Sequence, residues 1–182
     1  MEPITQPRID YKQPAHLGAM QAMSGLEKYV RGSGLEQSLL ELVKTRASQI
    51  NGCAFCLDMH TKDARAQGET EQRLYTLSAW RETPFFSARE RAALEWTEEL
   101  TRISESNVPD ELYDRVRQHF SEEEVVNLTL AIIAINGWNR IAISFRSVPG
   151  SYQPPAAKQS AEDVPETKST PAAPPPAAVA AL

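Results

Sequence analysis

Apolar residues recur three and four places apart along most of residues 14–146, and no segment sustains the strict alternation that a half-buried strand needs. That spacing gathers them on one face of a helix, so the chain is expected to be all-α, a bundle of about seven helices. Pro14 suits the first turn of the first helix, whose apolar stripe is Leu17, Met20, Met23 and Leu26. The run RGSG at 31–34 stops that helix, because Gly32 and Gly34 supply the conformations a C-terminal cap requires. A second helix is expected from about Leu35 to Asn51, burying Leu39, Leu40, Val43 and Ile50. Asn51-Gly52 is a turn signal, and a third helix follows from about Cys53 to Gln67, with Gly68 as its cap.

Four more helical stretches complete the pattern. One covers Glu69 to Trp80, and a second runs from Ser87 to Ser104, with Glu90 completing a capping box. A shorter one covers Asp110 to Phe120. The last begins at Ser121, with Glu124 in the same capping arrangement, and ends near Arg146. Between Val125 and Ile135 it is apolar on nearly every side, so it is expected to be buried all round, at the bundle centre or shared with another subunit. Beyond Ser147 the composition changes: eight of the thirteen prolines fall there, amid Ala, Ser and Thr. Such a segment buries too little apolar surface to offset its ordering entropy. The expected division is a helical domain over 1–147 and a disordered Pro/Ala-rich tail over 148–182.

Composition narrows the function classes. With 41% apolar and 24% charged residues, the chain has the make-up of an ordinary globular domain. A net charge of −5 gives no basic footprint for phosphates, so no nucleic-acid partner is expected. The N-terminal run MEPITQPRIDYKQP places acids and prolines where a signal peptide needs apolar residues. The apolar-rich run Val125–Trp138 is too short to span a bilayer and carries Asn127 and Asn136. The expectation is a soluble, cytoplasmic chain with no membrane partner. Two cysteines exclude a secreted disulfide framework and point to redox or metal chemistry in a reducing compartment.

Those cysteines sit in the run CAFCLDMH. On a helix, Cys53, Cys56 and His60 fall at i, i+3 and i+7, all on one face. A thiol is nucleophilic as its thiolate. Free N–H groups at a helix N-terminus favour negative sulfur, and a nearby imidazole can take the proton. Once one sulfur has attacked an oxidant, the second can close a disulfide. If the turn at Asn51-Gly52 folds the two helices antiparallel, Glu41 lies roughly 15 Å back from it and His60 about 10 Å along the other helix. Glu41 and His60 could then face each other as a Glu–His–Cys proton relay.

The stretch ELVKTRASQINGCAFCLDMH, with Glu41, Cys53, Cys56 and His60 at these spacings, resembles the AhpD-like alkylhydroperoxidase branch of the carboxymuconolactone decarboxylase family. The runs TKDARAQGETEQRLYTLSAWRETPFFS and AIIAINGWNRIAISFR are similar to that branch too, and the likeness covers roughly residues 8–147. The resemblance implies an all-helical homo-oligomer, commonly a trimer or hexamer. It also implies reduction of a hydroperoxide substrate, with the dithiol regenerated by an external thiol reductant such as a lipoyl-bearing protein. By the same resemblance Cys56 attacks and Cys53 resolves, although position alone gives Cys53 the stronger helix field. Well-studied peroxidase members carry a second histidine just before the attacking cysteine; here that residue is Phe55. Family members that decarboxylate a lactone acid generally lack the cysteine pair, so that activity is not expected.

Other readings of the same residues are a redox-sensing or structural oligomer with a switchable disulfide and no efficient turnover, and a zinc site on Cys53, Cys56, His60 and Glu41. Three ligands within one and a half helical turns make poor tetrahedral geometry, so neither metal nor cofactor is expected. Asn136, Trp138, Asn139 and Arg140 form a polar-aromatic cluster suited to packing, subunit contact or substrate. Trp80, Phe85 and Phe86 read as filling the core or an interface, with the lining of a substrate pocket as the alternative, and His16 and His119 stand alone.

Overall fold

Gly52 adopts φ = +69°, a left-handed conformation that costs glycine little, and it turns the chain back so that α2 (Gln37–Asn51) and α3 (Ala54–Ala66) pack side by side. The computed structural model describes residues 5–155. Among them are five further α-helices and no strand: α1 (Leu17–Arg31), α4 (Glu71–Thr76), α5 (Ala88–Thr101), α6 (Asp110–Arg117) and α7 (Glu122–Phe145). Short 3-10 turns cover Pro14–His16 and Leu77–Glu82, and the second takes up the end of the helix expected to reach Trp80. The chain is all-α, with seven α-helices. Both capping boxes form: Ser87 with Glu90 starts α5, and Ser121 with Glu124 starts α7.

The centre of the bundle is α2, which packs against α3, α5 and α7. Every residue from Leu39 to Ser48 is buried. Leu40, Leu42 and Val43 are fully enclosed, each contributing about 1.5–3 kcal/mol relative to exposure. Glu41, Lys44, Arg46 and Ser48 are buried as well, each with a partner on another segment, whereas the buried Thr45 hydroxyl has none among the described residues. Lys44 Nζ meets Glu27 Oε1 of α1 at 2.5 Å, Arg46 Nε donates to Glu98 Oε1 of α5 at 2.7 Å, and Ser48 Oγ accepts from Asn139 of α7 at 3.0 Å. Although burial opposes it, the Lys44 ammonium and Arg31 guanidinium hold Glu27 below the usual carboxylate range.

All-round burial thus belongs to α2, not to α7 as its composition suggested. One side of α7 is open, with Val126 58% and Ile133 53% exposed. By length and composition α7 could cross a membrane, yet α1, α2, α3, α5 and α6 all pack on it as a bundle helix.

The stripe expected on α1 divides in two. Leu26 packs on the main core and Met23 lies over Gly137 of α7, whereas Leu17 and Met20 line a cavity. Trp80, Phe85 and Phe86 join Leu42, Leu77 and Leu94 in a second core cluster. The N-terminal segment wraps onto the bundle as expected: the Arg8 N–H donates to the Phe145 carbonyl at 2.8 Å, and Tyr11 stacks near Phe145.

The chain does not leave the bundle at residue 147. Gly150 N–H donates to Asp58 Oδ2 at 2.9 Å, Lys62 Nζ donates to the Tyr152 carbonyl at 3.0 Å, and Tyr152 O–H donates to Asp63 Oδ1 at 2.6 Å. Residues 148–155 are therefore strapped back along α3 by polar contacts, which composition does not register. The remainder of the expected tail, 156–182, lies outside the described residues.

Candidate active site

Cys53 is the N-cap of α3, and its Sγ accepts the Cys56 N–H at 3.4 Å. The two thiols are 1% exposed, walled by Ala47 of α2 and Ile135 and Ala142 of α7. Their surroundings divide their acidities. The Cys56 thiol donates to Cys53, which lowers Cys53 to about 7 against the opposing effect of burial; the backbone N–H groups of Cys56 and Phe55 and the Asn139 side chain add to the lowering. Cys56 is pushed up, because it gives its proton to that bond and is buried. The pair is thus poised to hold one proton, with the negative charge at the helix N-terminus.

Glu41 and His60 meet across the Gly52 turn, with Oε2 and Nδ1 2.8 Å apart and both side chains almost wholly buried. A carboxylate can only accept, so Nδ1 donates to Glu41 and Nε2 is left as the free nitrogen. Asp63 lies one further turn along α3, buried, and its carboxylate, that of Glu41 and the His60 ring come within 4.8 Å of one another. Tyr152 supplies the donor to Asp63, and its own hydroxyl is pushed up to about 12 by burial and by that negative charge. The zinc grouping left open by the sequence is not the one that gathers. The close set is Glu41, His60 and Asp63, and each carboxylate in it has its own hydrogen-bond donor.

Cys56 and His60 both line a cavity of about 470 Å³ between α1, α3 and α7. Its apolar lining is Leu17 and Met20 from α1, Phe55 and Met59 from α3, and Trp138 and Ala142 from α7; Lys12, Glu27, Arg31 and Tyr152 add polar groups. Cys53 is not among the lining residues. Behind the dithiol, Asn51 Nδ2 donates to Asn136 at 2.9 Å and to Asn139 at 2.8 Å, so the cluster on α7 ties the turn to the bundle while Trp138 faces the cavity.

The four residues picked from the sequence therefore form two pairs, Cys53 with Cys56 and Glu41 with His60, which the cavity links through Cys56 and His60. Asp63 and Tyr152 were missed. Asp63 carried a usable signal, three places after His60 on the same helical face, whereas nothing local marks Tyr152 within its Pro/Ser-rich surroundings.

A helical bundle with a buried CxxC dithiol at a helix N-terminus and a Glu–His pair across the preceding turn defines a class of protein, and comparison gives it a family. The carboxymuconolactone decarboxylase family model matches residues 14–99. The Bacillus subtilis (strain 168) protein YdfG, itself uncharacterised, is 53% identical over 137 residues, which is 75% of this chain and 92% of that protein. A solved Agrobacterium tumefaciens structure, of unknown function and described as a candidate antioxidant defence protein AhpD, is 48% identical. It superposes with a TM-score of 0.77 over 81% of this chain and 100% of its own. An alkylhydroperoxidase AhpD core protein from Ralstonia eutropha JMP134, peroxidase-related and uncharacterised, shares the fold at 17% identity, with a TM-score of 0.69 over 80% of this chain and 77% of its own. The chain belongs to the carboxymuconolactone decarboxylase family, in its AhpD-like branch.

Proposed function

We propose that this protein is an oxidoreductase that reduces organic hydroperoxides with its own dithiol. The observation that carries the reading is Cys56 on the wall of an apolar cavity, beside His60 and in hydrogen-bond contact with a second cysteine. In the resting dithiol the charge sits on Cys53. As Cys56 attacks, its proton passes to His60 Nε2, Glu41 on Nδ1 stabilises the imidazolium, Cys53 stays a thiolate, and the imidazolium returns the proton to the departing alkoxide. The Cys56 thiolate attacks the terminal oxygen of the hydroperoxide, the O–O bond breaks, and Cys56 becomes a sulfenic acid while the alkoxide takes a proton and leaves as alcohol. The Cys53 thiolate then attacks the Cys56 sulfur. The S–S bond forms, hydroxide leaves and is protonated to water, and the two thiols have together lost two electrons. An external dithiol, such as a lipoyl group on a partner protein, returns them by thiol–disulfide exchange.

The cavity lining favours a hydroperoxide with a bulky apolar body, since a site of this size and character takes a drug-sized organic molecule. The open apolar stripe of α7, with Val126 and Ile133, is read as the surface on which further copies of the chain close a trimer or hexamer. The test is consumption of cumene hydroperoxide with dihydrolipoamide as reductant. Sustained consumption by the wild type and none by Cys56→Ser supports the proposal. Equal, buffer-level rates for both overturn it, and a disulfide that forms without sustaining turnover would instead favour a redox switch.

A further inference from the structure

Two carboxylates, Glu41 and Asp63, are buried against a single imidazole. His60 has one proton on Nδ1 to give, and Glu41 takes it at 2.8 Å. An undonated Asp63 beside that pair would either compete for Nδ1–H and draw the ring off its Glu41 orientation, or hold His60 as imidazolium, which has no free nitrogen to serve as a base. The donor Asp63 does have arrives from far along the chain: the Tyr152 hydroxyl at 2.6 Å, delivered by residues 148–155.

We propose that Tyr152 is a positioning residue of this site, whose hydroxyl occupies Asp63 so that Glu41 alone orients His60 and the Nε2 edge stays available beside Cys56. The role rests on the dithiol reading only for its catalytic consequence; the effect on His60 stands by itself. The site has no other hydroxyl on Asp63 among the described residues. Tyr152 also lines the cavity with Cys56 and His60, so its ring closes the same space that its hydroxyl organises.

The strap has a purpose-built anchor. Asp58 accepts the Gly150 N–H and pairs with Lys62, and Lys62 in turn donates to the Tyr152 carbonyl. These contacts fix the backbone on both sides of residue 151, which leaves the Tyr152 side chain little choice of direction. Asp58 itself lies outside the site. It can therefore be changed to loosen Tyr152 without touching the dithiol, Glu41 or His60.

The charged and titratable groups around His60 are few. They are Tyr11 and Lys12 on the N-terminal segment, Glu27 and Arg31 on α1, Glu41 on α2, Cys53, Cys56 and Asp63 at α3, and Tyr152 on the strap; the cavity lining from α7, Trp138 and Ala142, carries none. Glu27 is already held by Lys44 and Arg31. Removing the Tyr152 hydroxyl thus leaves one change facing the imidazole: Asp63 loses its hydrogen-bond donor, while Arg31 still acts on Asp63 and Glu41 alike.

The experiment is the proton NMR titration of the His60 ring in the reduced, full-length protein, told apart from His16 and His119 by substitution of those two. Tyr152→Phe keeps the aromatic wall and is expected to raise the His60 midpoint, because an Asp63 carboxylate without its hydrogen-bond donor favours the imidazolium. Asp63→Asn added to Tyr152→Phe is expected to reverse the rise, and Asp58→Ala, with the strap loosened, to reproduce part of it. A His60 midpoint that stays put in Tyr152→Phe, or a rise that Asp63→Asn does not reverse, overturns the proposal. Thiol oxidation by cumene hydroperoxide, followed in the same variants, separates the two readings. With the NMR shift present, a several-fold slower Tyr152→Phe supports both, whereas a wild type inert to peroxide removes the hydroperoxide reading and leaves the role of Tyr152 standing.

Discussion

Cys53 and Cys56 differ in acidity because one caps a helix and the other donates to it. The expected consequence is that the ultraviolet thiolate absorbance of the reduced protein rises along a titration centred at about 7, and is lost as Cys53 is protonated below that point. Cys56→Ala removes the thiol donor, so the midpoint is expected to move up toward that of an ordinary cysteine, which the same absorbance titration checks. His60 is the base in the proposed reaction, and His60→Ala is expected to slow single-turnover thiol oxidation by about 100-fold, the lower range for loss of a positioned base. Glu41→Gln should slow it less, because the amide still reaches Nδ1. The motif made these four residues legible, since spacing on one helix and a turn signal at Asn51-Gly52 suffice to bring them together. Position at the helix start already favoured Cys53 for the charge; what spacing could not show is that the Cys56 thiol and Asn139 add to the lowering.

The capping boxes at Ser87 and Ser121 were readable because everything they need lies within four residues. Ser121→Ala is expected to cost about 1 kcal/mol, seen as a lower denaturant midpoint at unchanged slope. Burial was legible only in part. The buried leucines of α2 follow the periodicity, but Glu41, Lys44 and Arg46 resemble a solvated face until Glu27, His60 and Glu98 arrive from other helices. Conversely, the apolar run of α7 promised full burial, and Val126 and Ile133 stand open. Lys44→Ala is expected to destabilise the fold by about 3 kcal/mol or more, because it strands Glu27, whose remaining partner Arg31 is half exposed. Thermal unfolding of Lys44→Ala beside Lys44→Met, which keeps the packing stem, separates charge from volume.

Across the whole molecule, the site is assembled from α1, α2, α3, α7 and the strap beyond residue 147, so no one segment contains it. The strap was the least legible part. Its Pro, Ser and Gly content matches a solvated tail, and only the distant partners Asp58, Lys62 and Asp63 show that residues 148–155 belong to the bundle. The open stripe on α7 carries the expectation of a homo-oligomer. Val126→Glu with Ile133→Glu should reduce the sedimentation coefficient to that of a single chain, and an unchanged assembly would place the interface elsewhere. The central proposal is a dithiol that reduces a peroxide held in the apolar cavity. The most direct measurement mixes reduced protein with one equivalent of cumene hydroperoxide and counts free thiols and alcohol over time, in wild type and Cys56→Ser. The expected result is loss of both thiols in step with one alcohol formed in the wild type, and no alcohol in Cys56→Ser. Thiol loss in the wild type no faster than in the denatured chain would contradict it.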